Sequence, residues 1–170
     1  MPRVNRILYG ATADVRALRA AGVRVGLGSD SPVSGVRDPL SNLASACREG
    51  VLETMELVEL ATRGAAAVAR LPVGGTAPGD RADLLAVPSL EALLAGERGA
   101  VELVVRAGRA LYAAPALAER LLAEGDVLTV DGHTRRTARG LGRRTAAIVR
   151  AHPRAREAAW LAGIGFPGFD

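Results

Sequence analysis

The sequence contains no lysine, only 3% aromatic residues, one cysteine and two histidines. All 22 basic residues are therefore arginines, so there is no lysine amine to form a Schiff base or a carbamylated metal bridge. The scarcity of aromatic rings argues against a stacking platform for single-stranded nucleic acid. Cys47 is alone and cannot form a disulfide within the chain, and nothing indicates an oxidising compartment.

Long apolar stretches are absent as well. No run of about 18 apolar residues exists that could span a membrane, and the first residues, Met1-Pro2-Arg3-Val4, contain no apolar signal core. We therefore predict a cytoplasmic protein that does not bind membranes. The hydrophobic content of 49% is typical of a globular chain rather than a disordered one.

The net charge of +4 is unevenly distributed. Residues 1–130 carry 14 arginines and 15 acidic residues, whereas residues 131–170 carry eight arginines and three acidic residues. The densest basic group comprises Arg135, Arg136, Arg139, Arg143, Arg144 and Arg150. Such a group is usually a solvated helix face; the alternative is a patch that neutralises nucleic-acid phosphates. Without interleaved aromatic residues or a reader motif, we do not expect nucleic-acid binding.

One short stretch organises the N-terminal half. The alternating apolar residues Val23–Leu27 predict a buried strand. Gly28 and Ser29 then allow the backbone to turn, and Pro32 prevents the strand from resuming. Asp30 would thus lie at the C-terminal tip of a strand, where catalytic groups gather in parallel α/β sheets and barrels. The alternative is an ordinary turn in which the carboxylate binds nearby backbone N–H groups.

Periodicity and turn residues predict the remaining elements. Thr12, Asp38 and Thr54 are the expected N-caps of three helices, and the strand at 23–28 would complete a right-handed β-α-β unit. We expect strands over 4–9, 83–87, 101–106, 110–112 and 127–130, helices over 13–21, 39–49, 54–70, 114–124 and 153–162, and a basic stretch over 135–151 that is helical at least from Arg143.

The order of these elements, with Gly28-Ser29-Asp30 followed by Gly-x-x-x-x-Gly-x-x-Ala-Asp-Leu from Gly74 to Leu84, resembles the C-terminal portion of the amidohydrolase superfamily. These are metal-dependent hydrolases and deaminases built on a TIM barrel. The resemblance covers roughly residues 2–113 and implies an α/β fold. We expect the last β/α units of a TIM-like barrel in residues 1–72, a β-sandwich portion in 73–133 and an Arg-rich helical tail in 134–170. A complete barrel needs about 250 residues, so we do not expect a whole one here.

The resemblance also implies a site. Asp30 would be the last-strand aspartate, a metal ligand that also transfers protons, and the metal would be Zn or Fe. Asn5, Ser29 and Ser31 are candidate substrate-side residues; for the two serines, capping of the turn is the alternative. Asp80 and Asp83 are expected to be structural.

A mononuclear site of this kind needs a His-x-His pair and further histidines beside the aspartate. His133 and His152 form no such pair and follow the region of resemblance; we interpret His133 as a turn residue. We therefore expect the isolated chain to be inactive. The expected protein partner is a complementary N-terminal hydrolase chain, which would supply the missing ligands, or a second copy in a homo-oligomer. The expected reaction is hydrolysis of a non-peptide C–N bond in a small molecule, with deamination of a cyclic amidine or N-heterocycle as one form. The alternative is a non-catalytic module that docks a partner through the barrel remnant and the basic tail.

Overall fold

The computed structural model describes residues 2–29, 35–36, 38–50, 52–152, 154 and 164–165. It divides into two compact units: unit 1 comprises Met1–Arg81 and Leu93–Gly96, and unit 2 comprises Ala82–Ala92 and Glu97–Asp170. The described residues contain helices and one antiparallel sheet, which confirms a mixed α/β protein. The division into residues 1–72, 73–133 and 134–170 stays a prediction.

Unit 1 is helical in the part of the chain that the structure describes. Its elements are α1 (Pro2–Tyr9), α2 (Val15–Ala20), α3 (Pro39–Arg48), α4 (Thr54–Glu59), a π-helical turn (Leu60–Gly64) and α5 (Ala65–Ala69). Its core consists of apolar side chains from α3, α4 and the segments beside them, namely Leu43, Ala46, Leu52, Leu57 and Leu60. Val25, Leu27 and Cys47 pack against this core.

The helix ends in unit 1 follow from capping chemistry. α3 starts as predicted: the Asp38 carboxylate accepts hydrogen bonds from the Ser41 amide (2.8 Å) and the Ser41 hydroxyl (3.0 Å). For α2 the cap is Asp14 instead of Thr12, because the Asp14 carboxylate accepts from the Ala17 amide at 3.0 Å. At α4 a capping box between Glu53 and Glu56 replaces the expected Thr54 cap.

Two predicted strands of unit 1 are absent from the described structure. Residues 4–9 belong to α1, and residues 23–29 have no regular secondary structure. A strand needs a neighbour to satisfy its backbone groups, and the described residues of unit 1 contain no strand. The predicted β-α-β unit is therefore wrong for this chain, since α1 bonds internally and the 23–29 segment bonds to helices.

Unit 2 contains the sheet. Its strands are β1 (Leu84–Ala86), β2 (Leu103–Arg106), β3 (Arg109–Ala113), β4 (Asp126–Val130), β5 (His133–Thr137) and β6 (Ile164–Gly165), all antiparallel in the order β1-β2-β3-β5-β4-β6. The helices α7 (Pro115–Leu121) and α8 (Leu141–Ala151) and a 3₁₀ turn (Arg98–Ala100) also belong to unit 2. The helix α6 (Leu90–Ala95) is divided, with its residues 93–95 counted in unit 1. Ala113, Ala118 and Leu122 form a small core between α7 and the sheet.

Two tight turns connect paired strands in this sheet. Ala107 and Gly108, with φ of +49° and +76°, join β2 to β3, and Asp131 and Gly132, with φ of +48° and +80°, join β4 to β5. Positive φ at both central residues is the conformation that matches the twist of a two-residue hairpin. The hairpin predicted at 107–109 is thereby confirmed.

The basic stretch differs from its prediction. Arg135 and Arg136 lie in β5, and the helix begins at Leu141, because the Asp131-Gly132 turn pairs the following residues with β4. The helix predicted over 153–162 lies outside the described residues. The described residues contain a single sheet, so the β-sandwich stays a prediction. None of the described helices is long and apolar enough to cross a membrane.

Candidate functional site

The described residues that adjoin the candidate site lie before Asp30 in the sequence. They include residues 25–29, whereas Asp30 and Ser31 lie outside the described residues, and so does Pro32. Ser29, the last described residue before Asp30, is half-buried. The described residues therefore include the segment that leads to Asp30.

Two helical elements hold this segment through its backbone. The Leu27 amide donates to the Leu60 carbonyl at 2.9 Å, and the Asn42 side-chain amide donates to the Gly28 carbonyl at 3.0 Å. Leu60 opens the π-helical turn, where its carbonyl also accepts from the Ala65 amide. These bonds take the place of the ladder bonds that a neighbouring strand would provide.

Two glycines allow this close approach. A Cβ on Gly26 would lie 2.7 Å from the Ala65 Cα, and a Cβ on Gly64 would lie 2.6 Å from the Val25 carbonyl oxygen. Both contacts are with backbone atoms, which cannot swing away as a side chain can. Gly26 and Gly64 are thus needed where the segment crosses the helix.

The glycine-rich element, residues 74–84, has hydrogen bonds that fix turns. The Asp80 carboxylate accepts from the Ala77 amide at 2.9 Å, and a Cβ on Gly75 would overlap that carboxylate. In unit 2, the Asp83 carboxylate accepts from the Ala107 amide at 2.6 Å and so caps the β2–β3 turn. These bonds agree with a structural role for both aspartates, although Asp83 caps the β2–β3 turn and not the turn before β1.

The substrate-side candidates can be placed only in part. Asn5 lies in α1 and is half-buried, next to Arg6, which pairs with Glu49 at 2.8 Å. That ion pair joins α1 to the end of α3. No finding tests a substrate role for Asn5, Ser29 or Ser31, so these roles stay predictions.

A metal centre does not form from the described residues, which contain no group of three or more His, Cys, Asp or Glu side chains that could hold an ion. His133, the first residue of β5, and His152, directly after α8, are both exposed. A catalytic zinc needs three protein ligands. The donor set described here therefore does not fit the metal that the family resemblance implies.

Arg135 corrects the interpretation of the basic group as a solvated helix face. It is only 8% exposed, and its guanidinium donates to the carbonyls of Gly99, Val101 (3.1 Å) and Thr134 (2.7 Å). No local pattern predicts this burial. It follows from the position of Arg135 in β5, where alternate residues lie on opposite faces of the sheet.

Other arginines of the group also have local partners. Arg136 donates to the Ala123 carbonyl at 2.9 Å, Arg139 pairs with Glu124 at 2.9 Å, and Arg143 pairs with Asp126 at 3.1 Å. These contacts compensate part of the positive charge within unit 2.

Tyr112 is a half-buried titratable group of unit 2 with a shifted pKa and an enclosed hydroxyl. Burial raises the pKa of its hydroxyl above the ordinary value, and the positive charges of Arg135 and Arg98 oppose this shift in part. The hydroxyl has no hydrogen-bond partner within the described structure. Being enclosed, it is not accessible to a substrate.

Comparisons with known proteins place the chain in a family. The model of the amidohydrolase family matches residues 1–111, which include α1, the segment leading to Asp30 and the glycine-rich element. The searches of curated proteins and of solved structures found no match. The family match spans most of the chain, and the protein therefore belongs to the amidohydrolase family.

Proposed function

We propose that this protein is part of a metal-dependent hydrolase acting on non-peptide C–N bonds of small molecules, with deamination of a cyclic amidine or N-heterocycle as one form. The observation that carries the proposal is the family match over residues 1–111. The anchored backbone of Leu27 and Gly28 supports it, because this anchor leads directly to the aspartate that the resemblance implies as a ligand.

Asp30 supplies one carboxylate in this proposal. The remaining ligands are histidines of a complementary N-terminal hydrolase chain, because the described residues form no metal site and a second copy would bring only the same two histidines, His133 and His152. Imidazole and carboxylate donors suit Zn or Fe. Bound at such a site, the metal would activate a water molecule for hydrolysis.

The test begins with the DNA upstream of the coding sequence, read in all three frames for a His-x-His after a predicted strand. That segment is co-expressed with this chain, and zinc in the purified complex is measured by inductively coupled plasma mass spectrometry. We expect about one zinc per complex, lost in Asp30→Asn. Asp14→Asn is the matched control, since asparagine also caps a helix well. A complex without metal, or one that retains zinc in Asp30→Asn, overturns the proposal.

The non-catalytic docking module is the second candidate, and exposed apolar residues of α1 favour it. Ile7, Leu8 and Tyr9 are 70%, 55% and 77% exposed, and neighbouring exposed apolar residues are typical of interaction sites. A docking module binds its partner equally well with and without zinc, whereas the hydrolase binds zinc only in the complex. Partner binding with and without a chelator therefore separates the two functions.

A further inference from the structure

Asn42 is a buried polar side chain in the middle of a helix. It lies in α3 and is 3% exposed. Asparagine is a poor helix former, and burying a carboxamide is costly unless it forms hydrogen bonds. Its side-chain amide meets this need by donating to the Gly28 carbonyl. The bond connects α3 to the segment that ends at Ser29.

The stability of α3 does not explain this contact. The helix already has its cap, Asp38 with Ser41, and it packs through Leu43 and Ala46 into the core. The Asn42 side-chain amide instead donates its hydrogen bond to Gly28, 14 residues earlier in the sequence.

Among the described residues, Gly28 is exposed and has few restraining contacts. A Cβ built on Gly28 would meet no atom of another described residue within 4 Å. By contrast, Gly26 is pressed against the backbone of Ala65. The Asn42 bond is therefore the described contact that restrains the peptide plane between Gly28 and Ser29.

We propose that Asn42 is a positioning residue, which orients the Gly28–Ser29 peptide and thereby the direction in which the chain leaves toward Asp30. We call the hydrogen bond from the Asn42 side-chain amide to the Gly28 carbonyl the tether; the described contacts of these two residues support it. Its importance for a reaction rests on the proposed function, in which Asp30 is a ligand.

The first experiment tests the tether in the full chain by NMR. A through-hydrogen-bond scalar coupling between the Asn42 side-chain nitrogen and the Gly28 carbonyl carbon is expected in the unmodified protein. The Ser29 amide nitrogen belongs to the same peptide group as that carbonyl, so its ¹⁵N shift reports whether the bond is present. Absence of the coupling, with the Ser29 shift unchanged by substitution of Asn42, overturns the proposal.

Asn42→Asp makes the tether depend on pH. The ionised carboxylate cannot donate a hydrogen bond and repels the Gly28 carbonyl, whereas the protonated acid can donate. Burial raises the pKa of such a carboxyl group, so the Ser29 shift of the variant is expected to return toward the unmodified value as the pH falls. Ser45→Ala is the matched control: Ser45 is 4% exposed on the same helix, and its hydroxyl has no partner within the described structure. Identical pH profiles in the two variants contradict the proposal.

The second experiment uses the complex assembled with the upstream histidine-bearing segment. Because a displacement of about 1 Å can reduce a rate by about 100-fold, we expect kcat of Asn42→Asp to fall by about 10- to 100-fold at neutral pH with KM within about twofold. Ser45→Ala is expected to keep the full kcat. An active complex in which Asn42→Asp keeps its kcat overturns the positioning role. A complex without zinc overturns the proposed function instead, while the Ser29 shift still decides the tether.

Discussion

Replacing Gly26 and Gly28 by alanine, one at a time, is expected to change the stability of unit 1 in opposite directions. The two residues lie in the same segment, and neither has the left-handed φ that would strain an alanine. They differ in their surroundings. A Cβ on Gly26 would lie 2.7 Å from the Ala65 Cα and 3.0 Å from the Ala65 nitrogen, whereas a Cβ on Gly28 would meet no atom of another described residue within 4 Å.

The expected magnitudes follow from two opposing effects. Alanine reduces the conformational entropy of the unfolded chain, which stabilises a compatible site by about 0.4–1 kcal/mol. Forcing an extra methyl group into close-packed surroundings costs about 1–3 kcal/mol, and at Gly26 the opposing atoms belong to the backbone. We therefore expect Gly26→Ala to lower the free energy of unfolding by about 1–2 kcal/mol. Gly28→Ala should raise it by about 0.5 kcal/mol.

Urea unfolding followed by circular dichroism at 222 nm measures both changes, since unit 1 is helical. The midpoint should shift to lower urea for Gly26→Ala and slightly higher urea for Gly28→Ala, with unchanged slopes. Equal destabilisation by both variants would refute the argument, because it would mean that the segment is packed along its whole length. A neutral Gly26→Ala would show that the segment does not cross Ala65 as closely as described.

Three further predictions concern other parts of the chain. Arg135→Met leaves three carbonyls without their donor and should cost at least about 3 kcal/mol of unfolding free energy, whereas Arg139→Met, at a 72% exposed side chain, should change it little; equal effects in urea unfolding would contradict this. In a Tyr9→Phe background, absorbance at 295 nm reports Tyr112 alone, and its midpoint should lie above pH 10 because burial raises its pKa. Since the folded state holds this proton more tightly than the unfolded state, stability should fall as the pH rises from about 10 through the folded pKa; a midpoint at or below 10 refutes the burial argument. The chain alone should self-associate in sedimentation velocity experiments, less so after Ile7→Glu, because Ile7 is 70% exposed; a monomer at all concentrations, or an unchanged association, would contradict this.

Local signals in the sequence predicted those elements that are determined locally. Asp38-Pro39 and Gly50 correctly delimited α3, because caps and chain reversals depend on a few adjacent residues. The β2–β3 hairpin followed equally from the Ala107-Gly108 turn. Both features can be predicted without knowing which distant residues they contact.

Predictions that depended on distant partners were less successful. The alternation at 23–27 is typical of a strand, yet the segment finds helix groups at Leu60 and Asn42 instead of a neighbouring strand. Arg135 was assigned to a solvated helix face because its neighbours are basic. Its burial depends on carbonyls 34 and 36 residues away, which no local pattern reveals. The family and the site aspartate came from motif resemblance, and the contacts that hold the approach to Asp30 came only from the fold.

The approach to Asp30 is restrained unequally along its length, and this has a consequence for engineering the protein. At Gly26 the restraint is steric, since two backbones touch; at Gly28 the restraint seen within the described residues is the hydrogen bond from Asn42. A steric restraint is lost only when the protein unfolds. The Asn42 hydrogen bond can be removed while the fold persists, because Gly28 is exposed and water can replace the lost donor, so the expected cost is about 0.5–1.5 kcal/mol. Substitutions at Gly26 should therefore affect stability and function together, and substitutions at Asn42 should separate them.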